Sequence, residues 1–171
     1  MRIYLVGFMG SGKSSLGQVA AETLDVPFYD TDRVLEAQTG LSISEIFNNH
    51  GETAFRQLES DFLRREGLEP VAILATGGGL PCYYDNMSWM NNHGVTIYLE
   101  WPDELITRRL LQLKEDRPLL AGLDDEAATS VIAPLLLQRK PIYEQAAILI
   151  EMTGVFEVDL ARLIRACQYV W

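Results

Sequence analysis

One short motif near the start of the chain restricts its fold more than any other feature. The segment GFMGSGKS at positions 7–14 fits the pattern G-x-x-x-x-G-K-[ST], and the apolar run Ile3–Val6 precedes it. Glycines allow main-chain N–H groups to approach phosphate oxygens, and a helix that begins at Lys13 directs its positive dipole end toward the same anion. The sequence therefore predicts a strand, a phosphate-binding loop and a helix in succession, with a nucleoside triphosphate as the ligand.

Two side chains of this motif have roles that follow from their chemistry. Lys13 can reach the β- and γ-phosphates as a point charge. The hydroxyl of Ser14, next along the chain, can ligate Mg²⁺. A magnesium-bound nucleoside triphosphate is thus the expected form of the ligand.

Composition limits the class of protein and its partners. The chain has 171 residues, of which 48% are hydrophobic and 22% charged, so one globular domain over residues 1–171 is expected. A net charge of −10 argues against nucleic acid as the main partner, although the local field of a pocket can still favour an anionic small molecule. The start of the chain does not resemble a signal peptide, and no stretch approaches the ~18 apolar residues of a membrane span. Two distant cysteines, Cys82 and Cys167, are expected to be reduced thiols, so the predicted location is the cytoplasm without a membrane partner.

Apolar runs of strand length alternate with helical patterns, which is typical of a parallel α/β sheet. The predicted strands cover residues 3–6, 27–29, 71–75, 95–99 and 147–150. The predicted helices cover residues 13–24, 31–39, 52–65, 102–114, 126–139 with an interruption at Pro134, and 155–168, and a capping box at Ser42 begins a further short helix. Residues 117–125 have no period and are predicted to form a loop.

Two acidic residues follow the second predicted strand, at the edge where open α/β sheets bind their ligands. One of Asp30 and Asp32 could hold Mg²⁺ through water while the other accepts a hydrogen bond from a substrate hydroxyl. In the alternative, Thr31 or Asp32 only caps the next helix. Because the apolar strand 71–75 carries no acidic residue for the metal, Asp30 is the natural candidate.

Three glycines and two arginines complete the candidate site. The segment TGGG at 76–79 ends the central strand, where glycines allow a ligand to touch the main chain. Arg56 lies three residues before Glu59 on a predicted helix, and Arg139 precedes Pro141, where a helix should break and a side chain can turn inward. The alternatives are an exposed ion pair with Glu59 for Arg56 and a solvated helix face for Arg139.

Together these segments resemble the shikimate kinase family over nearly the whole chain. The resemblance rests on GFMGSGKSS at 7–15, DTD at 30–32, FRxLE at 55–59, TGGG at 76–79, RPLL at 117–120 and RKPIY at 139–143. It implies transfer of the γ-phosphoryl group of ATP to the 3-hydroxyl of shikimate, a step of aromatic amino-acid biosynthesis. It also implies a three-layer α/β P-loop kinase fold with a five-stranded parallel sheet in the order 2-3-1-4-5 flanked by helices, a mobile lid at about 110–125, and a monomer.

The resemblance further implies a role for each matching residue. The ATP phosphates would be held by Gly10, Ser11, Gly12, Lys13, Ser14 and Ser15. Mg²⁺ would be held by Ser14, and by Asp30 through water. Shikimate would be held by Asp32, Arg56, Arg139 and the glycines Gly77, Gly78 and Gly79. Arg117 in the lid would close over the phosphates and stabilise the transition state, so the catalytic set is Lys13, Asp32 and Arg117.

One departure and two alternatives remain. The family often has an arginine that stacks on adenine at the position occupied here by Leu110, so Arg109, one residue earlier, is the candidate for an ATP contact. One alternative is a kinase of the same architecture that acts on gluconate or a nucleoside monophosphate. The other is a nucleotide-binding switch without useful turnover. The two arginines Arg56 and Arg139, which suit a carboxylate, favour shikimate as the acceptor.

Overall fold

Five parallel strands form one sheet at the centre of the computed structural model, which describes residues 1–65, 68–114 and 119–171. The strands are β1 (Arg2–Val6), β2 (Phe28–Asp30), β3 (Ala72–Ala75), β4 (Gly94–Glu100) and β5 (Ile148–Glu151). Their order across the sheet, β2-β3-β1-β4-β5, confirms the predicted topology. In this register Ala75 pairs with both Asp30 and Leu5, so the carboxyl ends of the three strands β1, β2 and β3 lie side by side.

Helices cover both faces of the sheet. They are α1 (Lys13–Leu24), α2 (Thr31–Thr39), α3 (Ile43–Arg64), α4 (Asn86–His93), α5 (Asp103–Gln112), α6 (Asp125–Tyr143) and α7 (Phe156–Val170), and a 3-10 turn covers Leu80–Cys82. Alternate residues of β1 enter two different cores: Ile3 and Leu5 pack with α1 and α7, whereas Tyr4 and Val6 pack with the other helices. The result is the three-layer arrangement that the sequence predicts. Among the described residues, none of the helices has the length and apolar character needed to cross a membrane.

Local sequence signals account for several helix ends. Ser42 and Glu45 form the predicted capping box at the start of α3, and Gly40 ends α2 with a left-handed φ of 70°. Helix α3 changes direction at Gly51, whose φ of 79° is not helical. This break corresponds to the gap between the two helices predicted there.

Two helical segments differ from the predictions. Helix α6 continues through both Pro134 and Pro141, so the predicted interruption at Pro134 and the break before Pro141 are wrong. A proline inside a helix removes one hydrogen bond, and here the buried face of α6 offsets that loss. Helix α4 was not predicted, because its asparagine-rich sequence has weak helix propensity; buried Met87 and Met90 hold it against the core.

Candidate active site

The phosphate loop connects β1 to α1 at the carboxyl edge of the sheet. Gly10 and Gly12 have φ values of 76° and 95°, a conformation that favours glycine, and Gly12 directly precedes the first residue of α1. Lys13 is 7% exposed, and its ammonium group donates to the main-chain oxygens of Gly7 at 2.9 Å and Phe8 at 2.7 Å. Ser14 is exposed in the first turn of α1. The loop thus presents main-chain N–H groups, a helix amino terminus and one lysine to the same space.

Two side chains that follow β4 in sequence donate hydrogen bonds to carbonyl groups of the phosphate loop. The indole N–H of Trp101 donates to the Ser11 carbonyl at 3.0 Å, and the guanidinium of Arg109 donates to the Gly10 carbonyl at 2.8 Å. The Arg109 guanidinium also lies 5.3 Å from the centre of the Trp101 ring. The structure therefore places Arg109 at the phosphate loop. Trp101 contributes a further contact to the loop, one that the sequence analysis did not identify.

Asp30, the last residue of β2, and Thr31, the first residue of α2, each stabilise this junction in a different way. Asp30 caps α2: its Oδ1 accepts from the main-chain N–H groups of Asp32 at 3.2 Å and Arg33 at 3.3 Å. The capping residue is therefore Asp30, rather than Thr31 or Asp32. The hydroxyl of Thr31 instead accepts from the main-chain N–H of Gly77 at 2.8 Å, which ties α2 to the end of β3.

The donors near the loop fit a magnesium ion that is bound mostly by water and phosphate. Asp30 and Ser14 offer a carboxylate and a hydroxyl, the hard oxygen ligands that Mg²⁺ prefers. In the described residues there is no group of three or more His, Cys, Asp or Glu side chains that could hold a metal ion. Mg²⁺ commonly needs only one or two protein carboxylates when it also binds substrate phosphates, so this sparse donor set suits it.

Asp32 is the carboxylate that faces the centre of the site. Burial raises its pKa to about 6, and the negative charge of Asp30 acts in the same direction, while the positive charges of Lys13 and Arg56 oppose the rise. Its Oδ1 is buried and has no hydrogen-bond partner among the described residues. A desolvated carboxylate with an unused acceptor atom is suited to accept a proton or hydrogen bond from a ligand hydroxyl.

Arg56 sits in a buried cluster on α3. Its guanidinium is 2.7 Å from Glu59 Oε2 and 3.1 Å from Glu52 Oε1, and the ring of Tyr83 lies 4.2 Å away. Arg56 is 7% exposed and Glu59 0% exposed, so the alternative of an exposed ion pair is wrong about its exposure. Burial raises the pKa of Glu59 to about 7 against the opposing charge of Arg56.

Sequence reasoning missed the parts that Glu59 and Tyr83 play in this cluster. Glu59 was noted only as a pairing partner, although the FRxLE segment contains it. Tyr83 carries no signal in the sequence, because its hydroxyl reaches Glu52, a residue 31 positions away, at 2.7 Å. Together the two residues fix a guanidinium that would otherwise adopt many rotamers.

The three glycines after β3 are the point where the parts of the site meet. A Cβ at Gly77 would lie 2.7 Å from Asp32 Oδ1 and 2.8 Å from Glu59 Oε1. A Cβ at Gly78 would lie 3.2 Å from the main-chain nitrogen of Met9 in the phosphate loop, and one at Gly79 would lie 2.6 Å from the Arg56 guanidinium. A Cβ at Gly77 or Gly79 would therefore require a functional side chain to move, and one at Gly78 would press on the main chain of the phosphate loop.

Arg139 reaches the same space from α6. It is 9% exposed, so the alternative of a solvated helix face is wrong. Its inward direction comes from the buried face of a continuous helix, with its guanidinium 5.9 Å from the Phe8 ring. The positive charge of Arg139 also lowers the pKa of Glu59, the buried partner of Arg56.

The structure thus brings most of the candidate residues to one edge of the sheet. Lys13 and Arg56 both act electrostatically on Asp32, and the three glycines lie so near Asp32, the phosphate loop and Arg56 that an added Cβ would meet them. Arg117, the candidate lid residue, lies outside the described residues. Chemically, the site offers cationic groups on two sides of a carboxylate, which suits a phosphate donor and an acceptor that carries both a hydroxyl and an acid group.

Comparisons with known proteins extend over nearly the whole chain. A model of the shikimate kinase family matches residues 9–165. A shikimate kinase of Bacteroides thetaiotaomicron is 40% identical over 146 residues, which are 85% of this chain and 83% of that protein. A crystal structure of shikimate kinase from the same organism matches with a TM-score of 0.86 and 34% identity over 98% of both chains. The shikimate kinase from Acinetobacter baumannii in complex with shikimate matches with a TM-score of 0.80 and 33% identity, over 98% of this chain and 93% of that chain.

Proposed function

The chain belongs to the shikimate kinase family, and we propose that the site described above transfers the γ-phosphoryl group of ATP to the 3-hydroxyl of shikimate. The products are shikimate 3-phosphate and ADP. Family membership makes the protein an ATP-dependent kinase of the shikimate pathway, and it decides against both a gluconate or nucleoside monophosphate kinase and a nucleotide-binding switch.

The observation that carries the residue assignments is the position of Asp32. This desolvated carboxylate experiences the charges of Lys13, which belongs to the phosphate loop, and of Arg56, which belongs to the arginine cluster. A group that accepts a proton from an attacking hydroxyl must lie within hydrogen-bond reach of that hydroxyl, beside its line of approach to the γ-phosphorus. The effects of both Lys13 and Arg56 on the pKa of Asp32 support this role.

On the donor side, the loop residues Gly10–Ser15 would surround the triphosphate with main-chain N–H groups. Lys13 would exchange its bonds to the loop carbonyls for bonds to the β- and γ-phosphates. Arg109 would remain beside the loop as the candidate contact to the nucleotide. Arg117 stays a prediction from the sequence for the charge over the transferred phosphoryl group.

Ser14 would hold Mg²⁺ directly, and Asp30 would hold it through water. The ion, when bound, neutralises charge on the phosphates. Asp30 would meanwhile keep α2 in place, since its Oδ1 accepts two main-chain hydrogen bonds at the amino terminus of that helix. The same residue would therefore serve the metal and the orientation of Asp32.

On the acceptor side, Asp32 would orient the 3-hydroxyl and take its proton. The hydroxyl oxygen forms a bond to the γ-phosphorus, the bond from that phosphorus to the β–γ bridging oxygen breaks, and ADP leaves with the electron pair. Arg56 and Arg139 would bind the carboxylate and neighbouring hydroxyls of shikimate, with the main chain of Gly77, Gly78 and Gly79 beside them. Glu59 would keep the Arg56 guanidinium in place.

Several properties of the whole protein are part of this proposal. We expect a monomer with one domain over residues 1–171 and a location in the cytoplasm. The lid predicted at about 110–125 includes residues 115–118, which lie outside the described residues. We expect neither nucleic acid nor a membrane as a partner. The net charge of −10 supports the first of these exclusions, because binding to nucleic acid depends on clustered positive charge.

The decisive experiment measures ADP release from ATP and Mg²⁺, with and without shikimate, for the wild-type chain and for Asp32→Asn. The proposal expects rapid release that requires shikimate, and a loss of about 10²-fold or more in kcat for the variant with little change in ATP binding. Release that ignores shikimate would contradict the proposed acceptor. Normal turnover by the variant would contradict the role of Asp32 alone.

A further inference from the structure

A tyrosine on α6 contacts the main chain of the glycine turn. The hydroxyl of Tyr143 donates to the main-chain oxygen of Gly78 at 2.5 Å, although 65 residues separate the two in sequence. Tyr143 is completely buried. Burial raises the pKa of its hydroxyl, so that the group remains a hydrogen-bond donor at neutral pH.

The bond from Tyr143 holds a carbonyl group of the turn that, among the described residues, accepts no main-chain hydrogen bond within the turn. The carbonyls of Gly77 and Gly79 accept from the main-chain N–H groups of Leu80 at 3.1 Å and Cys82 at 2.9 Å, which are bonds within the same turn. The Gly78 carbonyl is instead held by a side chain from a distant helix. In a trans peptide the C=O and the following N–H point in opposite directions, so a fixed Gly78 oxygen also fixes the Gly79 N–H.

Tyr143 is also linked to Arg139. The two residues are four positions apart on α6 and therefore lie on the same face of the helix. The positive charge of Arg139 lowers the pKa of Tyr143, partly opposing the effect of burial. The hydroxyl that holds the turn is therefore on the same buried helix face as a guanidinium of the proposed acceptor site.

We propose that Tyr143 is a positioning residue of the acceptor site, which holds the Gly78–Gly79 peptide and the Arg139 guanidinium together in the geometry that receives the carboxylate of the acceptor. The inference rests on the proposed function, because it takes shikimate as the acceptor. Without the hydroxyl, the Gly78 carbonyl would lose its partner in a buried place, and both the peptide and Arg139 would gain freedom. The cost would appear in binding of the acceptor and not in binding of ATP.

The test compares Tyr143→Phe with Tyr98→Phe. The first variant removes the hydroxyl and keeps the ring, so we expect it to fold. The second removes the hydroxyl of a neighbouring ring, whose centre lies 5.4 Å from that of Tyr143 and which has no assigned role in the site. For Tyr143→Phe we expect KM for shikimate to rise about five- to tenfold, with kcat and KM for ATP within about twofold of wild type. Tyr98→Phe should leave all three values unchanged.

An acceptor analogue separates positioning from general packing. With shikimamide, in which a neutral amide replaces the carboxylate, Tyr143→Phe and wild type should differ by less than about twofold, because the positioned carboxylate site is no longer used. An unchanged KM for shikimate, or an equal loss for both acceptors and for ATP, would overturn the inference. Failure of the proposed function would be evident separately, as a wild-type enzyme that does not phosphorylate shikimate.

Discussion

The two sides of the site are built in different ways. The phosphate side is one continuous stretch, residues 7–15, in which a loop and the start of α1 supply nearly all the groups. The acceptor side is assembled from α2, α3, the glycine turn after β3, and α6. A continuous loop depends mainly on its own conformation, whereas an assembled pocket depends on how distant elements pack against one another.

The charged groups of the two sides also differ in where their partners come from. The buried ammonium of Lys13 is satisfied by main-chain oxygens of its own loop. On the acceptor side, Asp32 and Glu59 both have raised pKa values because burial outweighs the neighbouring arginines. Substitutions in the loop should therefore act mainly through the phosphates of ATP, whereas substitutions on the assembled side should disturb several groups at once.

The largest effect is expected at the phosphate loop. Lys13→Ala removes the positive charge on the β- and γ-phosphates, and kcat should fall by about 10²- to 10³-fold. Steady-state turnover measures this loss, and circular dichroism shows whether the fold is kept. Retention of a tenth of the wild-type kcat would mean that the loop does not depend on this charge.

A smaller and more selective effect is expected from Arg139→Ala on the acceptor side. Loss of a charged hydrogen bond should raise KM for shikimate by about 10- to 100-fold while KM for ATP stays within about twofold. Titration of each substrate at saturating levels of the other provides both values. An unchanged KM for shikimate would remove Arg139 from the pocket.

Two alanine substitutions in the same turn compare the two sides most directly. Gly77→Ala places a methyl group 2.7 Å from Asp32 Oδ1, so kcat/KM for shikimate should fall by about tenfold or more. Gly78→Ala places it 3.2 Å from the nitrogen of Met9, and its main effect should be on KM for ATP. Identical kinetic profiles for both variants would show that the turn transmits any change to the whole site.

The pH dependence should expose the buried carboxylate. Because the pKa of Asp32 is raised to about 6, kcat/KM for shikimate should fall by about tenfold per pH unit below that value, as the acceptor of the proton becomes protonated. The sign for stability is the reverse. The folded pKa exceeds the unfolded value of 3.8, so the contribution of Asp32 to the free energy of unfolding increases as pH falls from about 6 to 3.8.

The opposite pH dependences of activity and of folding stability can be measured on the same protein. Activity should decline between pH 6 and 5 without any decrease in folding stability that is due to Asp32. Asp32→Asn supplies the control, because its residual activity should lack the acidic limb. A wild-type profile that is flat down to pH 5 would contradict the assigned proton acceptor.

The smallest effect is expected from Trp101→Phe. The variant keeps an aromatic ring beside Arg109 and loses the N–H that binds the Ser11 carbonyl. One neutral hydrogen bond corresponds to about a two- to fivefold rise in KM for ATP, with KM for shikimate unchanged. Change in both constants would show that the outer support of the loop also reaches the acceptor side.

Much of the fold could be predicted because its signals are local. The start of α1 at Lys13, the end of α2 at Gly40 and the capping box at Ser42 each involve residues within one or two turns. The failures are also informative. Two prolines do not break α6, because tertiary burial of one helix face outweighs the missing hydrogen bonds. Helix α4 is likewise held by packing that its own residues do not indicate.

The same distinction applies to the site. The candidate site residues could be chosen from the sequence, because they lie in segments whose chemistry is evident. The residues that hold them in place could not be predicted. Trp101 and Ser11 are 90 positions apart, and Tyr143 and Gly78 are 65 apart. Such contacts depend on the final packing of the chain, and no pattern within either segment predicts the partner. The buried state of Glu59 has the same origin, since its helix face is covered by other elements.

The glycine turn has a consequence for resistance to inhibitors. A compound that binds the main chain of residues 77–79 would be difficult to evade by substitution in the turn itself. A side chain large enough to exclude the compound at Gly77, Gly78 or Gly79 would also press on Asp32, the phosphate loop or Arg56. A substitution that prevents inhibitor binding would therefore also lower the activity of the enzyme. The main chain of this turn is for that reason a suitable target for an inhibitor.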